Sequence, residues 1–167
     1  MTQCLREAFV DLRNTLNGEA TRGTHILYGS YGSGQSHQMV AMHHCFASPT
    51  EAGQFGDLHI DGFANALPDD SRTETVSVSL QDRQPDYLWE PFFDELGEDP
   101  GTYKSGYPAR QEILDAVGDR AVAFLLDELE DWWVTLSKEK KSANRGFLQS
   151  YLEATEDPDA DIFAFVS

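Results

Sequence analysis

His25-Ile26-Leu27-Tyr28 runs without a break into Gly29-Ser30-Tyr31-Gly32-Ser33-Gly34-Gln35-Ser36. The apolar run predicts a strand, and the stretch from Ser36 to Phe46 predicts a helix, with Met39, Val40, Met42, His43 and Phe46 turned inward. Between them lies a glycine-rich turn. Backbone amides that converge in such a turn, beside a helix N-terminus, make an anion cradle that needs no particular side chains. The phosphate-binding pattern of glycine, four residues, glycine, lysine, then serine or threonine is met at every position but one. Gln35 stands where the lysine belongs, and Ser36 would offer its hydroxyl to Mg²⁺. A plain glycine-serine turn has the same composition, so a second element has to decide.

That element is Ala121-Val122-Ala123-Phe124-Leu125-Leu126, followed by Asp127-Glu128, with Asp127 lying 91 residues beyond Ser36. An unbroken apolar run of this length predicts a strand buried on both faces. The paired acids at its end supply an Asp to hold the shell of a magnesium ion and a Glu to orient or deprotonate an attacking water. An acidic helix start would look the same in isolation. Order along the chain and placement on the right elements favour the nucleotide reading.

The other elements fit around these two. Leu5, Phe9, Leu12 and Leu16 form one helical stripe, closed by Asn17-Gly18. Thr75 to Leu80 alternates and is β-branched, which predicts a strand. Tyr87 to Leu96 predicts a helix kinked at Pro91 or beginning near it. Pro108 to about Val117 predicts another helix, and Leu129 to Leu136 a further one. A basic link from Lys138 to Arg145 then leads to a helix ending near Thr155. Ile162 to Val166 is the last strand. Strands alternating with helices predict an α/β fold, a parallel sheet covered by helices on both faces. The expected organisation is an N-terminal helix and lead-in over 1–23 and an incomplete nucleotide-binding core over 24–167. Residues 49–73, rich in Gly, Asp and Pro, are expected to be a loop or insertion.

Composition bounds the class. The 29 acidic and 12 basic residues give a net charge of −17, and only four of the cations are Lys. Such a field repels phosphates at low ionic strength, but near 1 M salt the Debye length falls to about 3 Å and the repulsion is screened. The acid is spread through nearly every segment instead of forming one docking face, which points to a halophilic, salt-filled cytoplasm. With 10 Phe, 6 Tyr and 3 Trp the chain is too aromatic for a disordered acidic tail. No apolar run is long enough for a membrane helix, and the N-terminus shows no basic-then-apolar leader. Cys4 and Cys45 form neither a disulfide framework nor a metal knuckle. These features direct the expectation to a reduced cytoplasmic protein and away from membrane, secreted and zinc-ribbon classes.

Gly29 to His37 resembles the Gly-x-Tyr-Gly-Ser-Gly-Lys-Ser-His loop of a group of large prokaryotic AAA-type P-loop ATPases. That group includes domains of unknown function and BREX-like phage-defence ATPases. Phe124 to Glu130 is similar to their Walker B strand, and Ile162 to Ser167 to the strand after it, whose end carries a polar sensor in AAA proteins. The resemblance covers about residues 24–167, with two specific motifs. It implies ATP and Mg²⁺ as ligands, with Gly29, Ser30, Tyr31, Gly32, Ser33, Gly34, Gln35, Ser36 and His37 around the phosphates. Ser36 and Asp127 would hold the metal, Glu128 would be the catalytic base, and Ser167 would be the sensor.

Gln35 brings no charge to the β and γ phosphates. Loss of a charge-assisted contact weakens binding by roughly 1.5–3 kcal/mol, about ten- to hundredfold, and hydrolysis suffers more. An AAA module continues into another core strand, a helical lid and arginines acting across subunits. The resemblance therefore implies an N-terminal piece of a larger ATPase, whose partner is the missing C-terminal half, another protein or further copies of the chain. DNA would be an indirect partner at most, and one flank of the first strand would lie open. The alternative is a non-catalytic interaction module or decayed remnant that kept the fold and lost nucleotide binding.

Three other features have plainer readings. His43-His44-Cys45 points in different directions along a helix, so it is a poor metal site. Lys138, Lys140, Lys141 and Arg145 form a solvated basic link that could touch DNA or a neighbouring subunit. Of Trp132 and Trp133, one is expected to pack and the other to lie nearer the surface.

Overall fold

A computed structural model of the chain describes residues 3–19, 24–26, 35–102 and 106–167. Helix α1 (Gln3–Leu16) precedes strand β1 (Thr24–Ile26), and helices α2 (Gln35–Ala47), α3 (Pro49–Asp57) and α4 (Phe63–Ala66) follow. Next come strand β2 (Thr73–Ser79) and helices α5 (Leu80–Arg83), α6 (Trp89–Glu95) and α7 (Arg110–Val117). Strand β3 (Ala121–Asp127), helices α8 (Leu129–Thr135) and α9 (Lys138–Thr155), and strand β4 (Ile162–Val166) end the described chain.

The four strands form one parallel sheet in the order β1-β4-β3-β2. The chain crosses from β1 at one edge to β2 at the other, then returns through β3 to β4. Right-handed crossovers require the connecting helices to change face when the direction of travel reverses, and the burial pattern follows that rule. Ala121, Ala123, Leu125, Phe163 and Phe165 pack with Phe9, Leu12, Met42, Phe46 and Phe63 of α1, α2 and α4. The alternate residues Val122, Phe124, Leu126, Ile162 and Ala164 pack with Phe92, Ile113, Phe147 and Tyr151 of α6, α7 and α9. A strand covered on both sides has no polar face to show, which is why β3 reads as a continuous apolar run. Strand β2 lies at the edge and keeps an alternation. Val76 and Val78 are buried, while Ser77 between them is exposed. Among the described residues the outer edge of β1 has no partner strand.

Two stretches differ from the sequence reading. The expected loop over 49–73 contains α3 and α4. Pro49 opens α3 from its first helical position, and the glycines that suggested a loop are packing residues. A Cβ on Gly56 would lie 2.1 Å from the Phe63 ring, and one on Gly53 would lie 2.9 Å from Ala64 Cβ. The basic link over 138–145 is the first half of α9, an unbroken helix of 18 residues. Ser137 caps it, its hydroxyl accepting from the Lys140 amide at 3.3 Å. The run of lysines masked the helical period, because the buried positions Asn144, Phe147, Tyr151 and Ala154 begin only in the second turn. Pro91 falls in the first turn of α6, where its missing N–H costs nothing.

Candidate functional site

Parallel strands present their carboxyl ends to one edge of the sheet, and in open α/β sheets that edge is where ligands bind. Register brings the predicted residues there. Ile26 and Leu126 both pair with Val166, so the chain leaves β1 level with the ends of β4 and β3. One step further out lie Ser167, Asp127 and Ser79, the last two paired across β2 and β3.

Ser167 donates its hydroxyl to Asp127 Oδ1 in a short hydrogen bond, and its amide donates to the Leu126 carbonyl at 3.0 Å. The Leu129 amide reaches back to the Ser167 carbonyl at 3.4 Å, tying the start of α8 to the end of β4. Asp127, Glu128 and Ser167 are all half-buried. Two carboxylates and a hydroxyl thus stand together at one point of the edge, accessible from outside.

Glu128 has φ 64° and ψ 37°, a left-handed conformation that carries the chain from β3 into α8 within one residue. For a residue with a Cβ this costs about 1–2 kcal/mol, and such strain collects at functional sites. Its Oε2 accepts from Ser79 Oγ at 3.3 Å, while Asp82 Oδ2 lies 3.2 Å from the same hydroxyl. One hydroxyl proton serves one carboxylate at a time, so Asp82 and Glu128 compete for Ser79. The sequence reading gave Ser79 no role. The available signal was its position as the last residue of an edge strand, which parallel pairing aligns with Asp127.

Ser36 and His37 lie in the first turn of α2, both exposed. Gln35 is the first residue of that helix. Gly29, Ser30, Tyr31, Gly32, Ser33 and Gly34 lie outside the described residues, so the cradle itself is not among the features seen. Beside Asp127 a hollow of about 230 Å³ opens between α2 and the ends of β2 and β3, lined by Met39, His43, Ser77 and Ser79. His43 Nδ1 is 2.9 Å from Ser77 Oγ. Burial, and then the neighbouring His44, lower the His43 pKa from its ordinary value. His43 thus faces Ser77. Among the described residues no group of three His, Cys, Asp or Glu side chains could hold a metal ion. Cys45 is buried, and burial pushes its thiol up to about 12, so it is inert as a nucleophile.

Asp127, Glu128 and Ser167 bring oxygen donors together at this edge, while Ser36 lies at the start of α2. Comparison with family models, with curated proteins and with solved structures found no match to this chain. No described helix is long and apolar enough to cross a membrane.

Proposed function

We propose that the chain is an ATP-binding P-loop domain of the AAA type, with weak or absent hydrolysis, working as part of a larger ATPase. The observation that carries this reading is the meeting of Asp127, Glu128 and Ser167 at the carboxyl edge of the sheet, level with the end of the strand that leads into residues 29–36. Mg²⁺ would be held by Ser36 and Asp127 and would supply charge neutralisation at the phosphates. Ser167 holds one oxygen of the Asp127 carboxylate, and the other would turn to the metal. Glu128 is aimed by its left-handed backbone and by Ser79, and would hold the attacking water. Gln35 favours binding over turnover, because it brings a neutral amide to charge that grows in the transition state.

The test is calorimetric titration of Mg·ATP into the purified chain in molar potassium chloride, beside Gln35→Lys. One saturable site in the natural chain, tightened about ten- to hundredfold by the lysine, is the expected outcome. No heat from either folded protein would overturn the reading and leave the non-catalytic interaction module in its place.

A further inference from the structure

Strand β2 and helix α2 set one serine apart from the others. The alternation of β2 sends Val76 and Val78 into the core beneath α6 and α9, so Ser77 between them faces α2. There it meets His43, whose Nδ1 lies 2.9 Å from Ser77 Oγ. Among the described residues, the hydroxyls of Ser71, Ser79 and Ser167 donate to carboxylates instead. A carboxylate, with an ordinary pKa of about 4, is a poor proton acceptor at neutral pH. An imidazole, with an ordinary value of about 6.5, is well matched to that task.

The pair has the attributes of a nucleophile and its base. Burial, ahead of the neighbouring His44, lowers the His43 pKa, so the ring is neutral and able to take a proton. With its own proton on Nε2, that ring accepts from the serine hydroxyl through Nδ1. Ser77 is exposed, so an electrophile can reach its oxygen. Both residues also line the hollow of about 230 Å³ beside Asp127, together with the apolar side chains of Met39, Val40, Val78 and Leu125. Apolar walls suit a short hydrocarbon chain. The Asp127 carboxylate in the same lining repels a free acid. The matching ligand is therefore a neutral ester or thioester of a short acyl chain.

We infer that Ser77 is an acyl-accepting serine, with His43 as its general base and the hollow beside Asp127 as the seat of the acyl chain. Ser77 Oγ forms a bond to the carbonyl carbon of the donor as its proton passes to His43 Nδ1. The bond from that carbon to the alcohol oxygen or thiol sulfur then breaks, and the leaving group takes the proton from His43. The ring ends neutral and the serine ends as an ester, so the step balances without a further reactant. The nucleotide reading gives Ser77 and His43 no part, and the two stand or fall separately.

The test is incubation of the full chain with p-nitrophenyl butyrate, following p-nitrophenolate release and locating the butyryl group in the acid-quenched protein by peptide fragmentation and mass spectrometry. A burst of p-nitrophenolate with the butyryl group on Ser77 is expected. Ser77→Ala, a change at an exposed position, should abolish the burst. His43→Gln should slow acylation about a hundredfold, with circular dichroism confirming that the variant is folded. Ser71 is equally open to solvent but held by the Asp69 carboxylate, and it serves as the reference within the same chain. A Ser77 left unmodified, or modified no faster than Ser71, would overturn the inference whether or not the His43 variant folds. A rate that His43→Gln leaves unchanged would overturn it as well.

Discussion

The two faces of the sheet are covered in different ways. On the α6–α9 face, Phe92, Phe124, Phe147 and Tyr151 form one interlocked aromatic group, with ring centroids between 5.2 and 6.5 Å apart. Buried polar groups pin it: Asn144, the Trp132 indole, and the Tyr151 hydroxyl, which donates to the Phe163 carbonyl at 3.0 Å. On the α1–α4 face Phe9 stacks on Phe63 at 4.7 Å and Phe46 lies 5.1 Å from Phe163, but Met39, Met42 and Cys45 share that core, and its helices leave an apolar groove of about 400 Å³ between them, with Val40 and Phe55 exposed. Rings with hydrogen-bonded ends fix one arrangement, whereas methionine accommodates several. The locked face supports the strand that delivers Asp127 and Glu128. The looser face carries α2, the helix to which the proposed function gives the contact with a bound phosphate.

The comparison can be broken by cutting the same kind of hole in each face. Phe124→Ala should lower the unfolding free energy by about 4 kcal/mol, within the ~3–5 typical of buried Phe, because a pinned aromatic group cannot close over the cavity. Met42→Ala, also fully buried, should cost about 2–3 kcal/mol, since α1 to α4 can shift inward. Urea titrations of the two variants, read by tryptophan fluorescence and circular dichroism, decide the matter. Equal losses would mean that the two faces are equally rigid.

A smaller effect is expected at the edge itself. Glu128→Gly removes the Cβ from a left-handed residue and should raise stability by about 1 kcal/mol, while deleting the carboxylate to which the proposed function assigns the attacking water. Glu128→Gln should leave stability unchanged and spare nucleotide binding. If Glu128→Gly destabilises the chain instead, the contact with Ser79 contributes more than the backbone strain costs.

What was readable in the sequence follows from the same asymmetry. Strands β3 and β4 were legible because burial on both faces leaves an apolar run with nothing polar to interrupt it, and Asp127-Glu128 marked where β3 ends. Strand β2 was legible by its alternation. Helix α3 was not, since Gly53 and Gly56 carry the signature of a loop until their neighbours Ala64 and Phe63 are in place. The start of α9 was hidden by its lysines. Ser79 and the His43–Ser77 pair were invisible for another reason: they depend on which strands become neighbours, and sequence spacing alone does not say that β2 lies beside β3.

The smallest expected effect tests the seam between the looser face and the edge. His43 is held neutral by burial and by His44, so its pKa lies below the ordinary 6.5. The unfolded chain therefore binds a proton at this residue before the folded chain does. The sign is fixed: the contribution of His43 to stability is fully present above about pH 6.5 and is lost as the pH falls through its lowered folded value. An NMR titration of the histidine ring protons should show His43 titrating at lower pH in the folded chain than in the unfolded chain. Ser77→Ala should leave that order intact, because burial is the larger cause. If the substitution instead restores an ordinary pKa, the serine hydroxyl is what holds the ring neutral, and the hollow beside Asp127 is more tightly built than the rest of its face.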